Sequence, residues 1–172
     1  PYSSGTDNTA VGKDTLKSFT TATANVAVGH SALTNVKDAT YSVGIGVHAG
    51  DHATGSYNTF VGGQAGYGGQ TSAPFSSGTS NVGIGYYALR NFTTGYSNTV
   101  AGVNAGDAIT SGYENALFGQ GAGGALTDGH DNVIVGASAG ATSTSVGSAV
   151  IIGDFAGANG NITDAADGVV LI

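Results

Sequence analysis

Four histidines, eleven carboxylates and eight tyrosines are the side chains of this 172-residue chain best suited to chemistry or contact. His48 and His52 stand four apart, a spacing that serves a metal when it lies on a helix. Here it falls in a glycine-rich loop, and a third ligand would be needed. Asp51 is adjacent but is expected to point elsewhere, so His30, His48, His52 and His130 read as a solvated surface. The chain has no Cys, which removes thiolate metal sites and disulfides. Asp128 and Asp131 are spaced as a carboxylate pair of the kind that cleaves glycosidic bonds. They sit in a turn, however, where Asp is ordinary turn chemistry. Gly-x-Ser-x-Gly occurs in no strand-to-helix context, so no nucleophile elbow is expected. The expectation is no catalytic residue, no metal and no cofactor.

The aromatic residues offer contact instead. Tyr57, Tyr96, Tyr113 and His130 recur at one place in a repeating unit. Stacked, they would make either a sugar-binding strip or a stabilising ladder on the turns, and the ladder is the better expectation. Tyr86 and Tyr87 follow a glycine corner. With Tyr96 and Tyr113 they are the candidate surface contacts for a glycan or receptor.

What positions these residues is a repeat. Asn-x-x-(aliphatic)-Gly begins near residues 8, 25, 42, 58, 81, 98, 115, 132 and 149, with a last partial copy near 168. The spacing is close to 17 residues, and a fixed short period means one small unit stacked many times. An insertion near 67–73 lengthens the fourth copy. With Asn as position 1, the recurring residues are Asn8, Asn25, Asn58, Asn81, Asn98, Asn115 and Asn132, expected to form a hydrogen-bonded amide ladder. Positions 1 to 4 are rich in β-branched residues and read as a short strand. Position 5 is Gly12, Gly29, Gly46, Gly62, Gly85, Gly102, Gly119, Gly136 and Gly153, a corner that excludes a Cβ. Position 8 is Ala in every copy after Thr15, a narrow interior site. Position 12 is mostly apolar (Phe19, Val36, Ala53, Phe92, Ile109, Leu126), a second strand or an inward corner. Phe75 aligns there and is expected in the core. Leu16 to Thr21 and Leu89 to Thr94 match at a separation of 73 residues, a four-rung super-repeat.

Positions 2 and 4 share one strand face and position 3 the other. Position 4 is expected to fill the interior. Position 3 grows from Ala10 to Ile134 and Ile151, which predicts that it packs on identical chains. Ten rungs at ~4.8 Å each give a rod on the order of 48 Å long. The whole chain, 1–172, reads as one repeat domain, all-β, within a longer fibre. A net charge of −7 argues against nucleic acid, and no apolar run is long enough to span a membrane as a helix. From Asn91 onward there are seven acidic residues and no Lys or Arg. A left-handed β-helix acyltransferase would need aliphatic residues at position 10, where Lys17, Thr34, Asp51, Arg90 and Asp107 stand. Ice binding would need an unbroken Thr column at position 2, which mixes Thr9, Thr59 and Thr99 with Val26, Val43, Val82, Val133 and Val150.

The NTAVG…AL…TTG pattern resembles the repeats in shafts of phage tail fibres and related surface fibres. It is also similar to the head repeats of trimeric autotransporter adhesins. The resemblance runs from Gly5 to Ile172. It implies a left-handed β-roll in which three identical chains assemble in parallel, displayed outside the cell on a virion tail fibre or a cell surface. The function it implies is a non-enzymatic shaft supporting host attachment, with an adhesin head as the alternative.

Overall fold

The computed structural model describes residues 4–69, 75–158, 162 and 168–172. Ten short strands follow one another: β1 Thr9–Val11, β2 Val26–Val28, β3 Val43–Ile45, β4 Thr59–Val61, β5 Val82–Ile84, β6 Thr99–Ala101, β7 Ala116–Phe118, β8 Val133–Val135, β9 Val150–Ile152 and β10 Val170–Leu171. They pair in sequence order, all parallel, in a single ten-stranded sheet. The register puts like on like: Thr9 faces Val26, which faces Val43, and so on up the rod. The fold is therefore an all-β solenoid with one strand per turn. β1 to β9 are each only three residues long because the glycine after them cannot continue the strand; β10 has two residues.

Those glycines show why. Their φ angles lie between 126° and 146°, and each from Gly12 to Gly136 is stacked on the glycine of the next rung. A Cβ on Gly29 would stand 2.6 Å from the Gly46 carbonyl oxygen, and one on Gly102 only 2.2 Å from that of Gly119. The corner is thus closed to side chains by backbone, not by a neighbour that can move aside. Positions 7, 9 and 17 are also left-handed, as in Ser31 (φ 55°), Leu33 (φ 49°) and Ala24 (φ 57°). Three such bends per turn, paid in side-chain strain of about 1–2 kcal/mol each for non-glycine residues, let a 17-residue coil close.

The asparagine column ties each coil to itself and to the next. Asn98 Nδ2 donates to Asn81 Oδ1 (3.0 Å) and to the carbonyl of Gly112 (2.8 Å), fourteen residues on in its own rung. Its Oδ1 accepts from the backbone N–H and the Nδ2 of Asn115 at 3.2 and 2.9 Å. The same pattern links Asn8 to Asn25, Asn58 to Asn81, and Asn115 to Asn132. These amides are buried from Asn25 on, and every donor and acceptor is used. Ser42 interrupts the column. Asn58 Nδ2 then donates to the Gly55 and Gly78 carbonyls instead. At the upper end, Ala149 closes the column by donating its N–H to Asn132 Oδ1. A second column, not read from the sequence, runs through position 13. There Thr93, Thr110 and Thr127 donate Oγ1 to the position-13 carbonyl one rung up, at 3.0–3.1 Å.

The expected sidedness of the strand is reversed. Position 3 points inward: Ala27, Phe60, Val100, Leu117, Ile134 and Ile151 are fully buried. Position 4 points out, with Ile45, Ile84, Phe118 and Ile152 each about two-fifths exposed. The growing bulk at position 3 is absorbed inside the coil by position 9. Where position 3 is Ala or Gly, as in rungs 1, 2 and 5, position 9 is Leu16, Leu33 or Leu89. Where position 3 is large, position 9 is Gly66, Gly106, Gly123 or Gly140. Gly66 has no room for a Cβ because Phe60 lies 2.1 Å from where it would stand. Rung 3 has Gly at both places, Gly44 and Gly50, and is filled from its neighbours by Leu33 and Phe60. Position 8 alanines are buried throughout rungs 2 to 8, as a narrow interior site requires.

Position 12 is an inward corner and not a strand: Val36, Ala53, Phe92, Ile109 and Leu126 are buried there. Phe75 departs from the expectation. The rung continues through Gly68 and Gly69, whose N–H groups donate to the Arg90 and Phe92 carbonyls, and resumes at Ser76, whose carbonyl accepts from Thr54. Phe75 lies just before that return, half-buried against the His52 ring (5.6 Å) rather than in the core. Residues 70–74 of the insertion lie outside the described residues. In rung 8 the position-12 residue is Ser143, fully buried, with no hydrogen-bond partner for its hydroxyl among the described residues. Ser143→Ala should therefore raise the unfolding free energy, by about 1 kcal/mol, because an unsatisfied buried hydroxyl is removed. The check is a higher urea midpoint at unchanged m-value.

Candidate functional site

Three surfaces carry the residues singled out above. The first is the outer face of the sheet. No charged side chain occurs in any strand. Positions 2 and 4 of rungs 1 to 9 project outward; in the last copy the register is one residue later than the sequence suggests, with Val170 on Val150 and exposed and Leu171 on Ile151 and packed on the core. Position 6 extends the band with exposed Val47, Tyr86 and Val103 in rungs 3, 5 and 6, and carries exposed Lys13 and Asp154 in rungs 1 and 9. Three residues across and ten rungs long, the strand band alone covers ~10 Å by ~48 Å, on the order of 500 Å². That is at the upper end of the largest apolar patch on a typical monomer. The mixture of Thr and Val at position 2 lies on this face.

The second surface is aromatic. Tyr96, Tyr113 and His130 stack with centroids 4.9 Å apart and planes within 8° of parallel. Tyr57 does not belong to this column. It stacks on Tyr41 at 5.8 Å, in a separate ladder one position along the turn. The turn column is held by isolated parallel bridges, Tyr113 to His130 and His130 to Gly147. Partial desolvation in the stack, with the negative charges of Glu114 and Asp131 nearby, holds the Tyr96 hydroxyl above its usual pKa. Tyr86 and Tyr87 form another stack, 3.9 Å between centroids, with the Arg90 guanidinium over the Tyr87 ring, 4.4 Å from its centroid. Arg90 Nε also donates to Gln64 Oε1 (3.3 Å). Tyr86 lies against Gly63, where a Cβ would come within 3.2 Å of its ring. Tyr87 is thus covered by its neighbours more than Tyr86, which stays half exposed.

The third is the histidine group, and it is not the solvated surface the sequence suggests. Asp51 turns toward His48, with Nδ1 to Oδ2 2.8 Å, and the Asp51 side chain is nearly buried. Asn35 Nδ2 donates to the same carboxylate (3.3 Å). His30 packs edge-on against His48 (5.2 Å), and Tyr67 touches both His48 and His52. His52 is buried with Nδ1 unpartnered among the described residues. His48 sits at a left-handed bend (φ 57°), and its ring meets position 10 of its own rung. No group of three His, Asp or Glu side chains suited to a metal ion exists among the described residues.

The carboxylates of Asp128 and Asp131 are separately engaged. Asp128 Oδ1 accepts from Thr127 Oγ1 (3.1 Å), and Asp131 Oδ2 lies 3.0 Å from His130 Nδ1. Asp107, at position 10 beside Arg90, is pushed above the usual carboxylate range, chiefly by desolvation. Asp38 is held below it by the hydroxyls of Thr21 and Thr20. Gly136-Ala137-Ser138-Ala139-Gly140 spells the nucleophile-elbow pattern, and Ser138 has φ 53°. That bend is shared by position 7 of every complete rung, and no helix follows it. Comparison with known proteins finds no matching family model, no matching curated protein and no matching solved structure.

Proposed function

We propose that this chain is a structural shaft segment of an extracellular fibre, a virion tail fibre or cell-surface fibre, in which three identical chains run in parallel and support attachment to a host surface. The observation that carries this reading is the uncharged, apolar outer face of the sheet, which runs the length of the rod at constant height per rung. Such a band is matched best by another copy at the same level, because each rung then meets the equivalent rung. The count of three rests on the resemblance of the signature to trimeric fibre repeats. The backbone and amide ladders support a mechanical role: they use their own donors and acceptors along the axis and leave stiffness as the output. A chain so built presents surfaces; it does not need a catalytic group.

Sedimentation equilibrium at micromolar concentration tests the assembly. The expected mass is three times 16.7 kDa. Ile84→Glu combined with Phe118→Glu places two charges on the outer band without touching the interior. It should give a folded monomer with an unchanged far-ultraviolet spectrum. A wild-type chain that sediments as a monomer sinks the reading.

A further inference from the structure

The ring ladder on the acidic half of the rod follows the rung spacing, and its rings remain partly open to solvent. Parallel aromatic planes in contact lie about 3.6 Å apart. A centroid separation of 4.9 Å therefore slides each ring over its neighbour by about 3.3 Å. Tyr96, Tyr113 and His130 therefore overlap only in part. Tyr96 is 41% exposed, and the His130 side chain 40%. The stack is flanked by two exposed carboxylates, Glu114 and Asp131, each at position 17 of its rung. No Lys or Arg lies beyond Arg90; Asp131 Oδ2 is 3.0 Å from His130 Nδ1, and no ion pair engages Glu114 among the described residues. An electron-rich strip bordered by negative charge attracts a cation twice, through the ring quadrupole and through the carboxylates.

The same chain shows which cation such rings accept. Arg90 lays its guanidinium 4.4 Å over the Tyr87 ring on the neighbouring corner. A guanidinium is planar, weakly hydrated and able to stack while its edge hydrogen bonds to a carboxylate. A compact, strongly hydrated ammonium has no plane to stack on the ring.

We propose that the strip formed by Tyr96, Tyr113 and His130, with Glu114 and Asp131 at its edge, is a binding site for arginine side chains of a basic protein segment. The guanidinium planes lie on the exposed parts of the rings and their N–H edges meet the two carboxylates. Sugar rings fit less well, because the charge flanking the rings favours a cation. The proposal is independent of the assembly state and of the shaft reading.

The test uses the whole chain, which has no Trp, so that its fluorescence comes from eight tyrosines, and the part of a binding response that belongs to the stack is the part lost in Tyr113→Leu. The probes are an octa-arginine peptide, an octa-lysine peptide and an octa-serine peptide at 150 mM salt. The expected result is saturable binding of the arginine peptide at least fivefold tighter than the lysine peptide, and none of the serine peptide. Glu114→Gln with Asp131→Asn should weaken arginine binding about tenfold. Asp107→Asn with Asp154→Asn removes the same charge away from the strip and should change it less than twofold. Tyr113→Leu should abolish the fluorescence response and the arginine preference, while the circular dichroism spectrum shows that the rod remains. Equal loss in the two charge-matched pairs, or equal affinity for the lysine peptide, overturns the proposal.

Discussion

Gly102→Ala is expected to prevent this chain from folding at 37 °C, or to lower its thermal midpoint by well over 10 °C. The methyl group would stand 2.2 Å from the carbonyl oxygen of Gly119, and 2.6 Å from its carbon. Neither atom can rotate away, since both belong to the corner that the next strand depends on. The φ of 146° adds a conformational penalty for any residue with a Cβ. Relief requires the rungs to separate by about 1 Å, which would stretch the pairing of β6 with β7 and the amide bridge between Asn98 and Asn115 together. The loss expected is on the order of 4–5 kcal/mol, at the exceptional end of single substitutions. Gly121→Ala is the control: φ is 64°, but the nearest atom to its Cβ is 3.7 Å away. It should cost only about 1 kcal/mol, the backbone term alone. Thermal melts of the two variants separate steric closure from backbone strain. Similar midpoints would show that the stacked carbonyls do not limit the corner.

The second large effect belongs to the asparagine column. Asn98→Asp keeps the size of the side chain and removes its donors. The Nδ2 that serves Asn81 Oδ1 and the Gly112 carbonyl becomes an oxygen facing two oxygens, at a site with no exposure. Buried like-polarity contacts and an uncompensated carboxylate should cost about 3–5 kcal/mol near pH 7. The sign with pH follows from linkage. Burial raises the folded-state pKa of the introduced carboxyl above its unfolded value of about 3.9. Relative to the parent chain, the defect is therefore smallest below about pH 4, grows as pH rises through the folded-state value, and is constant above it. Asn98→Leu removes the donors without adding a titratable group, so its defect should be independent of pH. The measurement is the urea midpoint of the three proteins from pH 3 to pH 8. A defect in Asn98→Asp that is flat with pH would mean that the column tolerates charge.

Much of this architecture is legible in the residues themselves. The signature gives strand, corner and ladder because each residue type has one physical use there: the amide for axial hydrogen bonds, the glycine for a corner without a Cβ. The sidedness of the strand is less legible. Position 4 is always apolar, position 3 only usually so, and periodicity alone favours the more constant column as the core. The signal that resolves it lies six residues away, where Leu89 accompanies Gly83 and Gly106 accompanies Val100. Two columns that exchange volume must share one interior. The histidine group was misjudged because a count of loop residues shows neither the left-handed bend at His48 nor the meeting of its ring with Asp51. The aromatic ladder is legible as a recurrence. Its division into two stacks follows from rung 3, sixteen residues long, which places Tyr57 over Tyr41.

The exchange between positions 3 and 9 has a consequence for how the rod finds its pairing. Stacks of identical rungs are free to slip, since a coil shifted by one level satisfies every ladder equally well. Here Leu33 reaches into the space left by Gly44 and Gly50, and Phe60 into that left by Gly50, Gly66 and Gly83. A coil moved one level up would set bulk against bulk in one rung and leave an empty rung elsewhere. The unequal filling of the interior gives each rung an address, and a chain built from one repeated phrase can still be read in only one alignment.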